Sequence, residues 1–218
     1  MASSKKFIPA LGYEWLTWLY DLMIKVTMPE KRFRSELINQ LKPKTDQVIL
    51  EFGYGTGSNL LIAHKSSPGT QFIGLDIDEK VRRLALQKLR KNNITLDLDL
   101  YDGETFPYQD KSFDKVYSCL VFHQLDPATK SYCLNEINRV LKPGGELIIA
   151  DWGKAKSKLM RTTFYTVQLL DGFETTTDNV EGLLPDYMVQ AGFIKVLESG
   201  HINTVIGTFS YYQGNKEG

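Results

Sequence analysis

The run Val48-Ile49-Leu50-Glu51-Phe52-Gly53-Tyr54-Gly55-Thr56-Gly57 constrains the fold more than any other stretch of the chain. An apolar strand ends in a carboxylate and opens into glycines at every second position, and Gly57–His64 then begins a helix. A strand, a tight turn and a helix start, in that order, hold a nucleotide-like cofactor against backbone N–H groups. The spacing is G-x-G-x-G, whereas a dinucleotide fold wants G-x-G-x-x-G, and Glu51 stands two residues before the first glycine.

Strand-like and helix-like patterns alternate from residue 47 onward. Val48–Phe52, Gln71–Leu75, Ile94–Leu100, Phe113–Cys119 and Glu146–Ala150 read as strands. Between them, Glu79–Lys91 places Val81, Leu84, Ala85 and Leu89 on one helical side, and Ala128–Leu141 is a helix stopped by Lys142-Pro143-Gly144-Gly145. Helical regions follow at Ser157–Leu170 and Gly182–Ala191, then strands at Phe193–Glu198 and Thr204–Tyr212. Such alternation predicts an α/β, Rossmann-like sheet of seven strands, mostly parallel, with helices on both faces. The last two strands are joined too closely for a crossover helix, so they form a C-terminal antiparallel hairpin. Residues 47–212 make this domain, and residues 213–218 read as a loose tail. Residues 1–46 form an N-terminal helical cap, where Tyr13, Trp15, Trp18, Leu19, Tyr20, Leu22 and Met23 crowd two turns and Pro29–Leu41 follows. That cap is either a layer over the core or a lid giving a substrate its apolar wall.

At 218 residues the chain is long enough to bury a full core. Lys+Arg and Asp+Glu are both 26, so no basic surface invites a nucleic acid, and the short runs at Lys80–Arg83 and Lys88–Lys91 read as solvated helix faces. Cys119 and Cys133 are spaced for neither a metal site nor a redox pair, and read as reduced thiols. With no signal peptide and no membrane-length apolar run, the expectation is a cytoplasmic protein without a transmembrane span.

Ligands of an open parallel sheet sit beyond the carboxyl ends of its strands. Strand one ends at Glu51 and the glycine turn. Strand two ends at Asp76, 19 residues after Gly57, where a carboxylate can accept from both ribose hydroxyls or merely cap the next helix. Strand three runs into Tyr101-Asp102-Gly103, either an adenine contact or a plain turn. Strand four ends in Ser118-Cys119-Leu120-Val121-Phe122-His123, and strand five in Asp151-Trp152-Gly153.

Taken together, these residues resemble a class I S-adenosyl-L-methionine (SAM) methyltransferase over about residues 47 to 212. The resemblance rests on Glu51–Gly57, on Asp76 in Phe72-Ile73-Gly74-Leu75-Asp76, on Asp102-Gly103 before Phe106-Pro107-Tyr108, and on Phe113-Asp114. Its most specific part is Glu136-Ile137-Asn138-Arg139-Val140-Leu141-Lys142-Pro143-Gly144-Gly145. Within the class the chain is most similar to the ubiquinone/menaquinone C-methyltransferase-like group, with weaker support from Leu19-Tyr20-Asp21 and Tyr212–Lys216. It departs from the family at Tyr54, where a small residue is usual, and at Asn135, where the quinone enzymes carry Arg. Tyr54 is expected to reshape the wall near the methionine end.

The resemblance implies a SAM cofactor, S-adenosylhomocysteine as product and no metal. Its cofactor-binding residues are Glu51, Gly53, Tyr54, Gly55, Gly57, Asp76, Ile77, Asp102, Gly103, Ser118 and Cys119, the last two through backbone carbonyls. His123 and Tyr20 are the catalytic candidates, His123 as a base where the acceptor must lose a proton, and Asp151 follows them. His64 and His201 read as ordinary helix and turn residues. No Asn/Asp-Pro-Pro-Tyr/Phe follows strand four, no glutamate pair lies in that loop, and the cysteines are too few for arsenite chemistry. That leaves a small or lipid-like acceptor such as a quinone precursor, an aromatic or a phospholipid amine, and room for peripheral membrane contact. Two alternatives stand: a catalytically idle SAM-binding protein on the same fold, and a nicotinamide (NAD) oxidoreductase.

Overall fold

The computed structural model describes residues 29–204 and 207–218. Seven strands form one sheet in the order β3-β2-β1-β4-β5-β7-β6. They are β1 (Val48–Phe52), β2 (Gln71–Asp76), β3 (Asp97–Leu100), β4 (Phe113–Cys119), β5 (Leu141–Gly153), β6 (Phe193–Asn203) and β7 (Thr208–Lys216). The first five are mutually parallel, and β7 runs antiparallel to both β5 and β6. The α/β class, the parallel core and the closing hairpin are all as the sequence predicts. A six-stranded dinucleotide fold has no such hairpin.

The helices are α1 (Glu30–Leu41), α2 (Ser58–Ser66), α3 (Glu79–Lys91), α4 (Pro127–Val140), α5 (Lys158–Asp171), α6 (Phe173–Glu181) and α7 (Leu184–Gln190). Strand residues alternate between two cores, as the two-residue period of a sheet requires. Ile49, Phe72, Tyr117, Ile148, Trp152 and Phe209 face one side with α1, α2 and α3. Leu50, Leu75, Val116, Ile149 and Tyr212 face the other with α4 and α7.

Some bounds differ from expectation, and Tyr13 to Met23, the stretch that holds Tyr20, lies outside the described residues. The helix α1 is built into the body. Its Phe33, Leu37, Ile38 and Leu41 are buried in the first core, and Tyr211 Oη donates to Phe33 O at 2.9 Å. β3 begins at Asp97 because Ile94 is still held in the turn, its N–H donating to Leu89 O at 3.0 Å. The hairpin runs to Asn203 on one side and Lys216 on the other, so 213–216 is strand rather than loose tail. Gln213, Gly214 and Asn215 pair with Ile148, Leu147 and Glu146, and Lys216 Nζ donates to Asn138 O at 2.7 Å and Leu141 O at 2.8 Å. His201 stands on β6 rather than in a turn, with Nδ1 3.2 Å from Glu198 Oε1. Among the described residues no helix is long and apolar enough to cross a membrane.

Candidate active site

The strand order reverses between β1 and β4, and the glycine turn lies at the carboxyl end of β1. Gly53 N–H donates to Leu75 O at 2.7 Å and Gly57 N–H to Tyr54 O at 2.8 Å, folding the turn over β2. Gly53 has φ +74°, and a Cβ there would collide with Val121 Cγ2. Gly55 has φ +50° with nothing within 4 Å of where a Cβ would stand, which leaves its backbone open to a ligand. Lys88 Nζ reaches from α3 to Thr56 Oγ1 at 2.8 Å and Ser58 Oγ at 2.7 Å, fixing the far limb of the turn.

Asp76 belongs to the turn rather than to the next helix. Its Oδ2 accepts from Gly55 N–H at 2.8 Å, and Oδ1 accepts from Ile77 N–H at 2.8 Å and Asp78 N–H at 3.1 Å. The N-cap of α3 is Asp78, whose carboxylate accepts from Lys80 N–H. Burial raises the Asp76 carboxyl above its ordinary value, opposed by those backbone donors. Beside it, Ile77 is 40% exposed. A Cβ on Gly103 (φ +89°) would stand 3.2 Å from Ile77 Cδ1, so an apolar side chain and a bare backbone flank one slot. Asp102 is exposed and accepts from Glu104 N–H at 2.9 Å, closing its own turn.

Four of the predicted cofactor residues have buried side chains. Glu51 is fully buried, with Oε1 accepting from Asn59 Nδ2 at 2.8 Å and Oε2 from Tyr117 Oη at 3.0 Å. Arg34 of α1 extends that chain, donating to Asn59 Oδ1 at 2.6 Å. Burial pushes the Glu51 carboxyl up to about 8. Ser118 Oγ donates to Phe52 O at 2.8 Å, and the buried Cys119 thiol is pushed up to about 12 by desolvation. Tyr54 is turned into the first core. It is 3% exposed, and a Cβ on Gly74 would stand 2.6 Å from its Cδ1, so the ring fills the groove that Gly74 leaves on β2.

Past β4, the 3₁₀ turn Phe122–Gln124 brings His123 to Asp151 at the end of β5. His123 Nδ1 lies 2.7 Å from Asp151 Oδ1, and both are buried. Asp151 also accepts from Val121 N–H at 3.1 Å, His123 N–H at 3.3 Å and Trp152 N–H at 2.7 Å. His123 Nδ1 faces the Asp151 carboxylate, a pairing that favours the proton on that nitrogen. Because Val121 sits against Gly53, the pair and the glycine turn share a wall. The pairing of His123 with Asp151 had no signal in the sequence beyond both standing at strand ends.

Residues 50–149 match the protein family described as a methyltransferase domain. An uncharacterised methyltransferase of Geobacillus kaustophilus is 29% identical over 147 residues, 67% of this chain and 66% of that protein. A demethylmenaquinone methyltransferase of Lactobacillus johnsonii is 30% identical over 132 residues, 59% of this chain and 53% of that protein. The matched stretch thus spans less than two thirds of either relative. Among solved structures, phosphoethanolamine N-methyltransferase 2 of Haemonchus contortus, in complex with phosphomonomethylethanolamine and S-adenosylhomocysteine, shares the fold. Its TM-score is 0.69 at 17% identity, covering 85% of this chain and 52% of that one.

Proposed function

We propose, because residues 50–149 match the methyltransferase-domain family, that the chain is a SAM-dependent methyltransferase acting on a small acceptor. The observation that carries this reading is Asp76. Its carboxylate stands at the end of β2, bonded to Gly55 N–H, between an unobstructed glycine backbone and the slot formed by Ile77 and Gly103. A carboxylate there suits a ribose diol, and the apolar slot suits a flat purine ring. The bound cofactor would supply a sulfonium methyl, which passes to the acceptor as the C–S bond breaks and its electron pair stays on sulfur.

The protein's part is placement and exclusion of water. Asp76 and the glycine backbone orient the cofactor, while Glu51 braces the turn from beneath through Asn59. His123 is the base for an acceptor that must lose a proton, its ring held by Asp151. The case for an apolar or lipid-like acceptor rests on the aromatics of residues 13–23. The relatives named above methylate acceptors as different as a quinone precursor and phosphoethanolamine, so the shared denominator is a small molecule.

Calorimetry with SAM and with NAD tests the cofactor. SAM should bind, NAD should not, and Asp76→Ala should weaken SAM at least about tenfold, one lost charge-assisted contact. His123→Asn should keep SAM affinity while lowering turnover on any acceptor found in a panel. An Asp76→Ala protein with unchanged SAM affinity would sink the assignment.

A further inference from the structure

A second concave site opens beyond the end of β5. It is a groove of about 440 Å³ lined by Lys154, Ala155, Ser157, Lys158, Arg161, Val180 and Glu181. The chain is neutral as a whole, yet Lys154, Lys156, Lys158 and Arg161 fall within eight residues. Lys156 is used elsewhere, its Nζ 3.0 Å from Glu198 Oε2. Neither Lys154 nor Lys158 pairs with a carboxylate among the described residues. Arg161 is held in place by stacking 4.2 Å over the Tyr165 ring and donating to Gln168 Oε1 at 2.8 Å, contacts that leave its charge unneutralised. Among the described residues Glu181 is the one acid in the lining, and the positive end of α5, which starts at Lys158, adds to the cations.

The groove is placed to serve the candidate active site. Lys154 follows Asp151 by three residues, about 10 Å along an extended strand. α6, which supplies Val180 and Glu181, packs against both β5 and the turn that carries His123. We propose that the groove is an oxyanion subsite, taking a phosphate or carboxylate carried at the far end of the methyl acceptor. Only the identity of the anion's bearer rests on the methyltransferase reading. The groove itself binds an oxyanion through Lys154, Lys158 and Arg161.

Inorganic phosphate is the probe, titrated calorimetrically into the full chain at low salt in the presence of S-adenosylhomocysteine. Saturable binding with a dissociation constant of about 1–10 mM is expected. The combined K154Q/K158Q/R161Q variant should bind phosphate about fivefold more weakly, Glu181→Gln two- to threefold more tightly, and Lys156→Gln unchanged (each effect roughly a few tenths of a kcal/mol per exposed charge). Repeating the titration with acetate distinguishes a carboxylate from a phosphate. Non-saturable binding, or binding indifferent to both the triple change and Glu181→Gln, overturns the proposal. So does sedimentation with phosphatidylglycerol vesicles that needs these cations when phosphate itself does not bind, since the patch would then belong to a membrane surface. S-adenosylhomocysteine affinity is measured on the same samples: its absence in the unmodified chain counts against the cofactor reading and leaves the phosphate result to stand alone.

Discussion

Among the described carboxyl groups, Glu51 is held furthest above its ordinary value. Burial outweighs its two hydrogen bonds and pushes the carboxyl from 4.5 up to about 8. The folded chain therefore holds a proton that the unfolded chain has released over that interval. Stability from this group is fully present below pH about 4.5 and is lost as pH rises through about 8. Glu51→Gln keeps the shape and the acceptor for Asn59 but cannot ionise. Its thermal midpoint should fall less between pH 5 and pH 8.5 than that of the unmodified chain, and should exceed it at the upper end, by scanning calorimetry. Parallel profiles would show that the burial of this carboxyl does not matter. The sequence marked Glu51 as a strand-end carboxylate, but its partners Asn59 and Tyr117 meet it only once α2 and β4 are placed. The placement of Tyr54 is hard to read for a related reason. A ring in a loop can turn either way, and Gly74, a glycine inside a neighbouring strand, was the available signal that something packs there.

Between residues and fold, the segment most diagnostic in the sequence proves to be a brace. Arg139, near the end of α4, donates to Phe106 O at 3.1 Å, Tyr108 O at 2.9 Å and Asp110 Oδ1 at 2.7 Å, while Glu136 accepts from Phe106 N–H at 2.8 Å. Pairing with Arg139 holds the Glu136 carboxyl below its usual value. This clamp sets the loop that begins at Asp102-Gly103, one wall of the proposed purine slot. Arg139→Met should cost about 2–3 kcal/mol by urea denaturation, because it strips charge-assisted donors from two backbone carbonyls. It should also weaken SAM, although Arg139 is remote from the slot. Strands were legible because apolar runs between turn signals have few other uses. α6 was not: Phe173-Glu174-Thr175-Thr176-Thr177 has weak helix propensity, and the helix is held from outside. Lys130, fully buried, donates to Thr175 O at 2.7 Å, and Asn179 Nδ2 donates to Trp152 O at 3.0 Å.

The molecule as a whole is a parallel core completed from its far end. β7 fills the position between β5 and β6, so its last residues serve both neighbours. A chain ending at Tyr212 loses the pairings of Gln213, Gly214 and Asn215 with β5 and the Lys216 contacts at the end of α4. Its stability should drop by at least about 3 kcal/mol, several backbone hydrogen bonds at once, with an earlier urea midpoint as the readout. A midpoint within error of the full chain would mean that the segment is dispensable. The same placement dictates a schedule during synthesis. β6 leaves the ribosome before β7 and has no neighbour to join, while the 13-residue edge of β5 stays open. Roughly 60 residues separate the end of β5 from the end of β7, so at about 5–20 residues per second the nascent chain carries that bare edge for some 3–12 s. An unpaired edge of this length is a template for foreign strands, and for those seconds the newborn chain depends on whatever shields it.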